Sequence, residues 1–293
     1  MLIFKCRNDV SKLMKPLHHR VKLTEPANAV DALSTATGLP KARIKDAMSK
    51  GAVWVQRGAK SVRLRRASRV LNTGEELAIY YNPGILAERP PEPELVADRT
   101  GYSVWNKPAG MFASGSRYGD HHSIVRYVEC HWDRPSLLVH RLDRYTRGLM
   151  VIAHAKRVAA DLSRQFRERS TRKVYRAEVV GELRDACTVD LALAGKSARS
   201  HVAPLQVLEE TTLVEVVIES GRKHQIRQHL ALLGHPVVGD ALYGAAQHPD
   251  LRLSAVELAF ACPVNGERVI FKIDQEVDFP SGTRHPARDL SWK

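Results

Sequence analysis

Two short apolar runs, Leu137–Val139 and Leu149–Ala153, bracket a single carboxylate, Asp143. Apolar runs this brief, closed by turn formers, are too short for helices and read as buried strands. Gly148 marks a turn between them, so Asp143 is expected on a connection at a sheet edge. Arg141, Arg144 and Arg147 crowd the carboxylate along the chain. Guanidiniums keep a neighbouring carboxylate ionised at neutral pH, which suits nucleophilic attack on an electrophilic carbon and also suits an anionic substrate. The same pattern serves equally as a structural salt bridge or a turn cap, and this stretch by itself leaves both readings open.

The balance of charge narrows the partners. Among 293 residues, 45 Lys and Arg stand against 32 Asp and Glu, a net charge of +13. Such an excess favours a polyanion, either nucleic acid or an acidic membrane surface. No apolar run is long enough to span or anchor in a bilayer, so no membrane is expected and nucleic acid remains. The N-terminal stretch MLIFKCRNDVSKLMKPLHHR lacks the charged-then-apolar layout of a secretion signal, which predicts a cytoplasmic protein. Cys6, Cys130, Cys187 and Cys262 are far apart with no CxxC, so neither a zinc site nor a disulfide framework is suggested. His121, His122, His131 and His140 match no common ligand spacing, and no metal is expected.

Along the chain, residues 1 to about 20 show no strong period. From Ala29, Val30, Leu33 and Ser34 share a helical face, Gly38 ends that helix, and Pro40 suits the first turn of a second, KARIKDAMSKG. Two or three short strands follow and end at EELAIYYN. Between Lys41 and Arg69 lie ten basic residues and one acid, Asp46, the pattern of a phosphate-binding face. Lys41, Arg43, Lys45, Arg57, Arg65 and Arg66 are the candidate contacts. Dense proline over residues 83–95 predicts a stiff linker between residues 1–82 and 96–293.

Beyond the linker, Tyr102–Lys107 reads as a strand running into a Pro/Gly turn. Ala155–Arg169 reads as an amphipathic helix with Val158, Leu162 and Phe166 inward and a basic face toward RNA or water. Lys173–Gly181 reads as a strand with Tyr175, Ala177 and Val179 on one face, where small neighbours leave room beside the Tyr ring. After Gly221 comes a helix with Ile226, Leu230 and Leu233 inward, ended by Gly234. Arg227 lies beside that apolar face and needs an anion, for which Asp143 is the best candidate the sequence offers.

Five of these stretches carry a resemblance. HRLDRYTRGL, at residues 140–149, resembles the catalytic motif of the RluA family of RNA pseudouridine synthases, with Arg147 where Ser is usual and Met150 where a second Leu is common. Lys173-Val174-Tyr175-Arg176-Ala177 is similar to the family's Lys-x-Tyr-x-Ala strand. The run from Gly221-Arg222 through His224-Gln225-Ile226-Arg227 to Gly239-Asp240-Ala241-Leu242-Tyr243-Gly244 is similar to its third motif. The Lys107-Pro108-Ala109-Gly110 turn resembles the first motif, to which no catalytic role is given. Residues 25 to 82 resemble the alpha-L, or S4-like, RNA-binding module of a small-subunit ribosomal protein.

The resemblance implies an α+β catalytic domain, a mixed and largely antiparallel sheet with flanking helices, behind a small alpha-L domain. It implies uridine-to-pseudouridine isomerisation in structured RNA, large-subunit rRNA or tRNA, with no cofactor and no obligate protein partner. Asp143 would be the nucleophile, attacking either a ribose carbon or a base carbon. Arg227 would hold that carboxylate charged, and Tyr175 would stack on the base and take the last proton. Arg141 would fill the space of the extruded uridine, while Leu142 and Ile226 wall the pocket. A monomer is the simplest expectation. The rival functions are a non-catalytic RNA-binding or ribosome-assembly protein and an RNA N-glycosidase; the latter would need a second carboxylate to position water.

Overall fold

The structure, a computed structural model, describes residues 15–89, 91–244 and 250–273. The expectation for the extreme N-terminus therefore lies outside the described residues. The chain divides into two compact units, one within Met1–Arg144 and Met150–Arg164, the other within Tyr145–Leu149 and Gln165–Lys293.

The first unit begins with β1 (Leu17–Lys22), β2 (Ala27–Asn28), α1 (Ala29–Thr37), α2 (Lys41–Ser49), β3 (Val53–Arg57), β4 (Lys60–Arg63), β5 (Val70–Leu71) and β6 (Glu76–Tyr81). Four of the strands form an antiparallel sheet in the order β1-β6-β3-β4. The Asn28 side chain caps α1 by accepting from Val30 N at 2.8 Å, and Gly38, at φ 72°, closes it in the left-handed region that glycine enters without strain. Leu33, Ile44 and Met48 from the two helices pack with Val53, Val55, Leu77 and Ile79 from the sheet into one buried core. In β1, Leu17, His19 and Val21 are the less exposed alternate residues.

The stretch expected to be a linker contains structure. Pro83–Ala87 forms a short helix, α3, with Asn82 as its cap and Pro at its first position, where the missing N–H costs nothing. Its Leu86 joins the core of the preceding sheet. β7 (Glu94–Arg99) then pairs with β8 (Tyr102–Lys107), followed by α4 (Ile124–Trp132), β9 (Leu137–Leu138), β10 (Arg147–Ala153) and α5 (Lys156–Arg167). β9 pairs antiparallel with the end of β10. Leu138 is exposed, so this strand is less buried than its composition suggests.

The second unit is a largely antiparallel sheet of β11 (Arg172–Val180), β12 (Cys187–Asp190), β13 (Arg199–Val207), β14 (Thr211–Ile218), β15 (Leu253–Ala261) and β16 (Arg268–Lys272), with α6 (Gln225–Leu232) against β13. Strand order runs β12-β13-β14-β11-β15, and the first residues of β10 add a parallel pairing, Arg147 to Ser254 and Gly148 to Ala255. β14 alternates strictly: Thr212, Val214, Val216 and Ile218 are buried and their neighbours are not. In α6, Ile226 and Leu230 are buried, but Leu233, expected inward, follows the last helical turn and is exposed. No helix among the described residues is long and apolar enough to cross a membrane.

Candidate active site

Asp143 lies half-buried on the connection between β9 and β10, a segment with no ladder of its own to fix it. Specific contacts do so instead. Val151 N donates to Nε2 of His140 at 3.0 Å, tying the loop's start to β10, and Leu142 is buried. One residue past Asp143, the Arg144 carbonyl accepts from Gly110 N at 2.9 Å and from Lys107 Nζ at 3.1 Å. The Lys107 side chain is fully buried and its ammonium also donates to the carbonyls of Pro108 and Met111 at 2.9 and 2.8 Å. The Arg144 side chain completes the clamp. Its Nε donates to Gly110 O at 3.1 Å, an Nη donates to Glu88 at 2.6 Å, and the guanidinium lies 4.6 Å from the Phe112 ring centre.

The three arginines that surround Asp143 in sequence thus take different places. Arg141 is exposed, Arg144 is held by Glu88, and Arg147 pairs with Asp250 at 3.1 Å. Glu88 also faces Nε2 of His122 at 3.6 Å. Burial, with His121 beside it, pushes the His122 pKa down to about 4, so this ring is neutral at pH 7 and the Glu88 charge goes to Arg144. Gly148 has φ 107°, and a Cβ there would sit 2.2 Å from the Ala255 carbonyl oxygen. Only glycine allows β10 to meet β15 this closely.

Tyr175 is buried in the middle of β11, opposite Val216 on β14 and Ala255 on β15. The register with β15 shifts between Val174 and Tyr175, which face Glu257 and Ala255, so the extra residue, Val256, lies on β15 opposite this point of β11. Lys173 is also buried, and burial together with the charge of Arg169 lowers its pKa to about 8.

The start of α6 is pinned by buried Gln225, whose amide donates to Arg199 O at 2.9 Å and to Ser200 Oγ at 3.1 Å. Ile226 is buried on the inner face. For Arg227 the sequence makes Asp143 the best candidate anion; the structure supplies another. Its Nε and Nη2 donate to the two oxygens of Asp240 at 2.7 Å each, and the guanidinium lies 5.2 Å from the Tyr243 ring centre. Asp240 is fully buried and also accepts from Leu242 N and Tyr243 N at 2.9 and 3.0 Å. Burial would raise its pKa, but these donors outweigh it and hold the carboxyl below its usual range. Gly239, at φ 80°, brings this turn against Asp250, where a Cβ would lie 1.8 Å from the carbonyl oxygen.

Of the six basic candidates near the N-terminus, Lys41, Lys45, Arg57 and Arg66 are exposed. Lys41 pairs with Asp31 at 2.6 Å, and an Arg43 Nη lies 3.5 Å from the Tyr81 hydroxyl. Arg65 turns inward, bonding Asp120 and, at 3.0 Å, Ser49 O; Arg63 joins it on Asp120 at 3.1 Å. Among the described residues no group of three His, Cys, Asp or Glu could hold a metal ion.

The sequence profile described as RNA pseudouridylate synthase matches residues 101–232. The chain is 33% identical to the dual-specificity RNA pseudouridine synthase RluA of Escherichia coli K12, over 66% of this chain and 95% of that one. It is 31% identical to the ribosomal large subunit pseudouridine synthase D of Zymomonas mobilis, over 63% of this chain and 70% of that one. Among solved structures, human RNA pseudouridylate synthase domain containing 1 has the same fold, with a TM-score of 0.55 at 22% identity, covering 64% of this chain and 86% of that one.

Proposed function

Since the chain belongs to the RluA-type family of RNA pseudouridine synthases, isomerases that act on RNA, we propose that Asp143 is its nucleophile and large-subunit rRNA its substrate. The observation that carries the assignment is the clamp on Arg144, which spends two side chains and a backbone N–H on fixing the residue next to a half-buried carboxylate. A mere turn cap has no need of such support, whereas a nucleophile must be held within a fraction of an ångström of its target.

In the reaction the bond from ribose C1′ to uracil N1 breaks, C1′ joins C5, the proton on C5 leaves and the freed N1 takes up one, so substrate and product are isomers. Asp143 attacks at C1′ or at a ring carbon of the base, and either route needs it ionised. Arg227, oriented by Asp240, supplies the positive charge that favours that ionised state. Tyr175 stacks on the detached uracil and takes the C5 proton. Arg141, exposed on the same loop as Asp143, fills the gap left by the extruded uridine, and buried Leu142 and Ile226 keep water from the intermediate.

Residues 25 to 82 act as an alpha-L module whose exposed Lys41, Lys45, Arg57 and Arg66, together with Arg43, meet RNA phosphates. Arg65, engaged with Asp120, is the weakest of these candidates. The likeness to the Zymomonas ribosomal large subunit pseudouridine synthase supports large-subunit rRNA; tRNA is the second choice. The protein is proposed to work as a cytoplasmic monomer. The test is tritium release from transcripts labelled at uridine C5, with the wild type and Asp143→Asn. Release by the wild type alone, with the base kept in the polymer, supports the assignment; free uracil would indicate a glycosidase, and equal release by both would remove Asp143 from the chemistry.

A further inference from the structure

The sheet β1-β6-β3-β4 has two faces with different compositions. Val53, Val55, Leu77, Ile79 and Tyr81 point into the core with α1 and α2, so Trp54, Glu76, Ala78 and Tyr80 point the other way. Register places Arg20, Ala78, Trp54 and Arg63 in one row across the four strands. Ala78 is the small member of that row, and a hollow of about 250 Å³ opens over it, bounded by Trp54, Tyr80, Arg20, Arg117 and Glu76.

The aromatic walls are braced. The Arg63 guanidinium lies 4.2 Å from the Trp54 ring centre, and the indole Nε1 donates to Arg117 O at 3.1 Å. Tyr80 stacks on His18 at 4.2 Å and meets Tyr118 edge-on at 5.9 Å. Three guanidiniums, Arg20, Arg63 and Arg117, stand here against two carboxylates, Glu76, which holds Arg20 at 3.3 Å, and Asp120, which holds Arg63 at 3.1 Å. Neither catalysis nor the folding core uses this arrangement.

We propose that this hollow is a slot for one unpaired nucleobase of bound RNA, in which the base stacks on Trp54, its exocyclic amino group donates to Glu76, and the flanking phosphates meet Arg20 and Arg117. Planar aromatic walls edged by guanidiniums match a base and its phosphates, and the excess positive charge disfavours a basic peptide. The proposal rests on the reading of the chain as an RNA-modifying enzyme and gives that reading a second anchoring point. A base carrying an amino group, such as adenine, is preferred over uracil, which has none to offer Glu76.

The experiment titrates the full chain with single-stranded rA8 and rU8 and follows tryptophan fluorescence, with Trp54→Phe identifying the signal from that residue. Ala78→Leu fills the hollow without removing any charge or ring, and its thermal midpoint checks that it is folded. The expected result is quenching of Trp54 by rA8, tighter binding of rA8 than of rU8, and at least about a fivefold loss of rA8 affinity in Ala78→Leu. Equal rA8 affinity in folded Ala78→Leu overturns the slot. So does an octaglutamate peptide that quenches Trp54 at lower concentration than rA8, which would give the face to an acidic protein. A wild type that isomerises RNA but binds no rA8 overturns the slot alone, and one that does neither overturns the enzymatic reading with it.

Discussion

Replacing Asp240 by Ala tests how the third motif is held together. The carboxylate is fully buried and the Arg227 side chain is 12% exposed, so water can do little for either partner. Removing Asp240 strands the guanidinium without its two 2.7 Å acceptors and leaves the backbone N–H groups of Leu242 and Tyr243 without theirs. Breaking a buried pair from one side costs ~3–5 kcal/mol, against a total stability of ~5–15 kcal/mol for an ordinary domain. Asp240→Ala should lose that amount in urea unfolding at pH 7, and Asp240→Asn less, since its amide oxygen can still accept. The pH sign follows from the lowered carboxyl pKa. The stabilisation is complete above the unfolded carboxylate pKa and is lost as pH falls through the folded one, so the gap between wild type and Asp240→Ala narrows in acid. Asp240→Leu combined with Arg227→Met should recover most of the stability, because an apolar pair replaces the buried charges, while tritium release stays absent. A loss below about 1 kcal/mol in Asp240→Ala would refute the reasoning, since the pair would then be worth no more than a surface contact.

Gly148→Ala should cost more than about 4 kcal/mol, seen as lost soluble protein or an early urea transition, because the new Cβ meets Ala255 backbone at 2.2 Å and the backbone has φ 107°. Lys173 binds fewer protons folded, with a pKa of about 8, than unfolded, near 10.5, so stability should rise with pH across that window. Lys173→Met should flatten the rise and add up to roughly 3 kcal/mol at pH 7 in urea unfolding; a slope unchanged by the substitution would mean the ammonium is well solvated. Changing Lys41, Lys45, Arg57 and Arg66 together to Ala should reduce the slope of log K against log salt by about 3 for single-stranded RNA, measured by filter binding. An unchanged slope would place the phosphate contacts elsewhere.

Local patterns in the sequence carried the elements that are governed by local physics. The Gly38 stop, the helix after Pro40, the strand carrying Tyr175 and the Ile226 and Leu230 part of the apolar face of α6 are legible, because each is a period of side chains closed by a turn residue. β1 was missed because its alternation is written in His, Arg and Lys as well as Leu and Val, and α3 was hidden among prolines that break helices only in their interior. The partners of the site residues could not be read in the same way. Asp240 lies 13 residues beyond Arg227, and Glu88 lies 56 residues before Arg144, separations that only the tertiary fold closes. The GDALYG motif was visible as letters, and an Asp in it beside a part-buried Arg was the available signal. Arg65 looked like its basic neighbours, yet its place against Asp120 depends on a contact 55 residues away.

The central claim, that Asp143 isomerises uridine in RNA, is tested most directly by mapping pseudouridine with carbodiimide across total RNA from the source cell. The gene is deleted and then replaced by the wild type or by Asp143→Asn. The account predicts that one or a few positions in large-subunit rRNA lose the modification on deletion, regain it with the wild type, and stay unmodified with Asp143→Asn at equal protein level. Restoration of those positions by Asp143→Asn would contradict it.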